Sequence, residues 1–194
     1  MVLQSTSSSH QTYKWSYIWG NDVFSTSKTY CCLICHRQVH PSSQWLWRSV
    51  SQNKRKFFCW LLLNDRLSTR ALLCRKHLHL PSYHCVLCFL AVEENLAHLF
   101  FHCPFSITCW GILHIVVPNM SDTFQVFESF KDQLQLPFFM DVIITMCWDI
   151  WTWRNDKIFR GIDNFVPRCK TIFCKEFAQV ILRAKKTLQP HLSS

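Results

Sequence analysis

Between His84 and Pro104 the chain reads HCVLCFLAVEENLAHLFFHCP, which sets Cys85 and Cys88 two residues apart and follows them with His98 and Cys103. Two cysteines at that spacing can grip one metal ion from a tight turn, because thiolates need little reach and the turn's amides point back at the sulfurs. A distant His and Cys would close a tetrahedron. Three soft thiolates and one imidazole, with no open position, make the ligand set of a structural zinc ion rather than a catalytic one. His84 adjoins Cys85 and His102 lies one helical turn after His98, so either could replace a ligand. The plain alternative is a set of core cysteines and a buried histidine. Cys32 and Cys35, followed by His36 and His40, imitate a second site. They fall in a stretch of helical pattern, where residues three apart share a packed face.

A second chemistry is suggested by charge. Arg48, Lys54, Arg55, Lys56, Arg66, Arg70, Arg75 and Lys76 stand against a single acid, Asp65, and are interleaved with Trp45, Trp47, Phe57, Phe58 and Trp60. Cations grip phosphates and aromatic faces can stack on unpaired bases, although most such aromatics belong to cores and a charge run is usually a solvated face. The net charge of +9 agrees with a polyanionic partner. Catalysis has no comparable signal. A two-metal polymerase or nuclease needs convergent carboxylates, yet the acids are scattered and no two aspartates are adjacent. Asp149 and Asp156, two helical turns apart, read as solvated helix residues, and no Gly-rich phosphate loop, GxSxG or HExxH occurs.

The run CVLCFLAVEENLAHLFFHCPF, with Trp110 close behind, resembles the zinc-binding module of plant LINE-type (non-LTR) retrotransposon reverse transcriptases. VFSTSKTY at 23–30 and WLWRSVSQNKRKFFCWLLLNDRLSTRALLCRK at 45–76 resemble that family's upstream parts, and IWTWRNDKIF at 150–159 resembles a helix into which its members often continue. The resemblance implies Cys85, Cys88, His98 and Cys103 as ligands, with His84 and His102 as neighbours. It makes Glu93, Glu94, Leu99, Phe100, Pro104 and Trp110 framework positions. Phe89 stands where a Gly or small polar residue is usual in that family.

These residues need elements to hold them. Nearly half the residues are hydrophobic and only three are glycine, which describes a compact, mostly helical chain with few tight turns. Residues 1–12 form a polar leader without the apolar core of a signal peptide, so the twelve cysteines point to a reducing compartment rather than a disulfide framework. Trp15, Tyr17 and Trp19 suggest a short extended strip. Ser25 or Ser27 can cap a helix running to about Arg37, ended by Pro41. The pattern from Gln44 to Leu63 gives two helical pieces broken around Ser51 to Asn53. Ser68-Thr69 and Asn95 are positioned to cap the next helix and the one bearing His98. An apolar helix over 105–116, one opened by Ser121 or Asp122, a long one from about Phe138 to Phe159 and a last one from about Arg168 to Leu188 follow. The apolar runs at 99–117 and 138–153 carry Cys103, or Asp141 and Asp149, and are not expected to span a membrane.

The expected fold is therefore mostly α: a helical domain with a zinc-stapled loop and helix, followed by a C-terminal helical extension. The expected organisation is a polar leader (1–19), a reverse-transcriptase-type zinc-binding domain (20–117) and a C-terminal helical region (118–194). The expected function is non-catalytic: a module holding Zn2+ through Cys85, Cys88, His98 and Cys103 and contacting RNA or DNA through Arg48, Lys54, Arg55, Lys56, Arg70, Arg75 and Lys76. The resemblance adds a reverse transcriptase or other retroelement protein as a partner, with no membrane and no small-molecule substrate. An intracellular setting, nuclear or cytoplasmic, is expected. The alternatives are a structural or protein-interaction helical scaffold, and a decayed retroelement remnant.

Overall fold

A computed structural model of the chain describes residues 40–163 and 166–188, together with 23 and 25–28. It divides into two units, Met1–Val39 and His40–Ser194. In the first, the amide of Lys28 donates to Ser25 Oγ (3.3 Å) at the start of a helical turn, as the sequence suggests. The expected strip at Trp15, Tyr17 and Trp19, the continuation toward Arg37 and the second cysteine pair at Cys32 and Cys35 lie outside the described residues.

The second unit is mostly helical. Helix α1 (Pro41–Arg48) opens on Pro41, so the proline expected to end one helix also begins another. Proline suits the first turn because its missing N–H has no partner there and its φ is already helical; the His40 ring accepts from the Ser42 amide and caps the start. An elbow then leads to α2 (Asn53–Leu63), so the break expected around Ser51 to Asn53 is present. Ser51 Oγ donates to the buried Asp141 at 2.5 Å, fastening the elbow to the first turn of α6. Helix α3 (Arg70–Arg75) is capped by Thr69, whose hydroxyl accepts from the Leu72 amide.

After the metal loop, a π-helical turn (His98–His102) runs into α4 (Pro104–Ile112). The sequence suggested a helix reaching residue 116. The backbone instead turns at His114 (φ 56°), and the side chain of Gln133 both donates to and accepts from the Val116 backbone at 2.8 Å. A long-range amide clasp thus takes the place of the last helical turn. Helix α5 (Thr123–Leu134) is capped by Asp122, as expected.

Helix α6 (Phe139–Arg160) is the spine, packed against α2, α4, α5 and α7 (Val166–Leu188). Every residue from Phe139 to Cys147 is buried, so this apolar stretch is covered by protein on all sides. Gly161 closes the helix in the left-handed region (φ 63°), where a side chain would be strained. Among the described residues no helix is long and apolar enough to cross a membrane. One hydrophobic core runs from Leu46 on α1 through Phe100, Trp110, Phe130 and Ile143 to Phe173 on α7. Asp149 departs from the solvated position expected of it: it is buried on α6, with Oδ2 lacking a hydrogen-bond partner. Burial pushes its carboxyl up to about 7, against a smaller opposing pull from the Arg55 charge. Asp156 pairs with Arg160 on the helix surface.

Candidate metal centre

Cys85 and Cys88 sit on a narrow loop closed by two backbone hydrogen bonds, Cys85 N–H to Val92 O (2.8 Å) and Glu94 N–H to Tyr83 O (2.9 Å). The loop turns at Ala91, which takes φ 50°, while Phe89 is fully exposed. The turn therefore forms without the glycine usual in the resembled family, because the strained position lies two residues later and Phe89 has nothing to clash with. Within the turn, the Leu87 amide donates to the Cys85 sulfur.

The other two donors depend on the π turn. Its start is set by Asn95, whose Oδ1 accepts from the His98 amide at 2.8 Å. In an α-helix, residues five apart point about 140° away from each other, since each residue turns the chain by roughly 100°. The Cys103 amide instead donates to His98 O (2.6 Å), a bond that spans five residues and brings His98 and Cys103 back to one side. The indole N–H of the buried Trp110 donates to Phe100 O (2.8 Å) and braces this widened turn. Cys103 is also the N-cap of α4, and its sulfur accepts from the amides of Phe105 and Ser106.

The result is a cluster. The sulfurs of Cys85, Cys88 and Cys103 and a ring nitrogen of His98 all lie within 4.8 Å of one another. Cys85 and Cys103 are 3.9 Å apart at sulfur, and Cys88 Sγ is 3.4 Å from His98 Nε2. A tetrahedral ion with bonds of about 2.3 Å to sulfur and 2.0 Å to nitrogen needs edges of about 3.8 and 3.5 Å. These two separations fit. Three sulfurs and an imidazole exclude the oxygen-seeking ions calcium and magnesium. Cys85 donates to Cys103, which holds the Cys103 thiol down at about 6 and drives that of Cys85 upward; burial opposes the first shift. The other two histidines stay outside the cluster. His84 is exposed and engages Glu93 through its backbone, while the His102 ring faces Met120 O at 3.3 Å.

The framework residues have physical roles. Leu99 and Phe100 are core, Pro104 opens α4, and Glu93 is exposed beside the loop. Glu94 is fully buried, and its Oε1 accepts from Arg154 Nη2 (2.6 Å), Arg154 Nε (3.1 Å) and the Arg70 amide (3.1 Å). Arg154 also donates toward Ser68 O, so one guanidinium on α6 clamps the metal loop and the start of α3. No charge pairing across sixty residues is visible in a sequence, though the Arg in WTWRND was within the resembling helix.

The basic band is divided by the fold. Arg48, Lys54 and Lys76 are exposed and Lys56 half-buried, with its ammonium on Trp47 O at 3.2 Å. Arg70 donates to His84 O, supporting the metal loop, and Arg75 pairs with Asp65 at 2.6 Å. Arg55 departs from the expectation of an available cation: it is buried and paired with Glu176 of α7. Its position on the inner side of α2, the side packed against α6, decides this, with Glu176 of α7 within reach of its guanidinium. Trp45 and Phe58 join the core, whereas Trp47, Phe57 and Trp60 are exposed.

No curated protein and no solved structure matches the chain. Residues 24–110, the stretch that carries all four clustered donors, match the family model described as zinc-binding in reverse transcriptase.

Proposed function

We propose that the metal is zinc, held structurally by Cys85, Cys88, His98 and Cys103, and that the chain is an accessory, non-catalytic module that contacts RNA or DNA. The observation that carries this reading is the donor cluster, whose separations suit one tetrahedral ion and whose four protein ligands fill it, leaving no position for an activated water. Bound there, zinc would supply a cross-link between the cysteine turn and the π turn. The chain's own residues prepare the site: Asn95 and Trp110 shape the π turn, the amides of Leu87, Phe105 and Ser106 face the sulfurs, and Arg154 fixes the loop through Glu94. The zinc domain is taken to span 20–117, with 118–194 supporting it. A plant, LINE-type origin and an intracellular retroelement partner follow from the resemblance in CVLCFLAVEENLAHLFFHCPF.

Nucleic-acid contact is supported by the exposed cations Arg48, Lys54 and Lys76 and by the half-exposed Lys56, in a chain of net charge +9. Mobility shift over a salt series tests it. Affinity should fall steeply with salt, and replacing Arg48, Lys54 and Lys56 with Ala should flatten the logarithmic slope by roughly 2 to 3 units. A slope unaffected by the triple substitution would favour the protein-interaction scaffold.

A further inference from the structure

The inner face of α2 carries enough apolar surface to anchor the helix: Phe58, Cys59, Leu62 and Leu63 are all buried. The outer face should then be polar, and at Asn53 and Asn64 it is. Between them, at helical intervals of four and three residues, stand Phe57 and Trp60, which are 54% and 37% exposed. Their rings stack, with centroids 5.6 Å apart and planes 21° from parallel. Neither ring contributes to the buried core.

The surroundings of this pair are cationic. From Pro41 to Leu63 there is no Asp or Glu, and of the four basic residues only Arg55 turns inward to an ion pair. Lys54 is exposed, its ammonium 4.9 Å from the Trp148 ring centroid. Lys56 spends one of its three donors on Trp47 O, which holds the ammonium near the end of α1 and leaves two donors for an anion. Arg48 and the half-exposed Trp47 end α1. A purely apolar partner docking here would have to strip water from these charges without replacing it. A chain of phosphates bearing flat bases meets both demands.

We propose that Phe57 and Trp60 form a stacking platform for unpaired bases, with Arg48, Lys54 and Lys56 gripping the flanking phosphates, so that single-stranded nucleic acid is the preferred ligand of this face. This rests on the nucleic-acid reading above and narrows it. A duplex hides its base faces within its own stack, so it can use the cations but not the rings. Sequence preference should be slight, because every base has a π face.

Fluorescence anisotropy of labelled twenty-nucleotide oligo(dT) and oligo(U), beside a duplex of equal length, tests the proposal on the full zinc-loaded chain. Phe57→Ala combined with Trp60→Ala should weaken single-strand binding at least about fivefold, the lower end for losing one base stack. Duplex affinity and the salt slope should stay unchanged, and Phe57→Tyr with Trp60→Phe should restore the single-strand affinity. Wild-type protein that binds single strands no better than duplex, or an alanine pair that leaves single-strand affinity intact, would overturn the platform while leaving salt-dependent binding in place. Wild-type protein that binds no oligonucleotide at 50 mM salt would overturn the platform and the nucleic-acid reading together; 50 mM is about the low end of the range where phosphate contacts are strongest.

Discussion

Two kinds of buried thiol stand among the described residues. Cys59 and Cys147 are buried among apolar side chains, which drives their pKa values upward and leaves them as small inert hydrophobes. Cys103 has nearly the same exposure but caps α4, where donor groups favour its thiolate. In the sequence only the combined set separates the two groups: CxxC also occurs at Cys32 and Cys35, in a helical pattern where residues three apart share a packed face, but no HxxxxC run follows it there. Asp149 shows what spacing misses. Its depth depends on α7 and α2 closing over α6, and nothing local to WDIW reports that. The raised pKa of about 7, against an ordinary 3.8, means the folded chain binds more protons than the unfolded chain between those values. Stability contributed at this position should therefore be greatest below about 3.8 and fall as pH rises toward 7. Arg55 and Glu176 flank the carboxyl and Cys109 and Cys147 sense its charge, so Asp149→Asn isolates its share. The variant should gain urea resistance over wild type at pH 8 and much less at pH 5. An equal difference at both values would remove Asp149 as the cause.

Helix starts were legible because caps are local chemistry: at the starts assigned to Ser68-Thr69, to Asn95 and to Ser121 or Asp122, the side chains of Thr69, Asn95 and Asp122 each accept a backbone amide. Pro41 was read only as the end of a preceding helix, whose end lies outside the described residues; that it also opens α1 was not legible, because proline suits both places and the His40 cap marks the start. The end of α4 and the clamp on the metal loop were not legible, since each depends on a partner far away in the chain, Gln133 in one case and Arg154 in the other. The clamp carries its own expectation. With both side chains almost wholly buried, Glu94→Gln or Arg154→Met should each cost about 3–5 kcal/mol, because each strands an uncompensated charge. The double variant should cost clearly less than the sum. Denaturant midpoints for the cycle would check this, and simple additivity would show that the two residues do not act as a pair.

At the scale of the molecule, the helical class and helix order follow from periodicity, while the continuity of the core does not. Leu46, Phe100 and Trp110 lie within the stretch that matches the reverse transcriptase zinc-binding model, and Phe130, Ile143 and Phe173 lie beyond it, yet all share one core. Apolar residues announce that they will be buried without announcing against what. The metal centre joins this body at its edge: Cys85, Leu99 and Cys103 are core members, whereas Cys88 is partly exposed. Structural zinc can contribute on the order of 10 kcal/mol in small domains. Here the helical core should survive its removal, with the 84–104 loop and the π turn losing order. Native mass spectrometry with hydrogen exchange, on protein prepared with zinc and then treated with chelator, tests the central claim most directly. One zinc per chain, lost in Cys88→Ser, with faster exchange confined to the loop and π turn after chelation, is the predicted result. A chain that takes up no zinc, or whose loop is equally protected with and without it, would contradict the account.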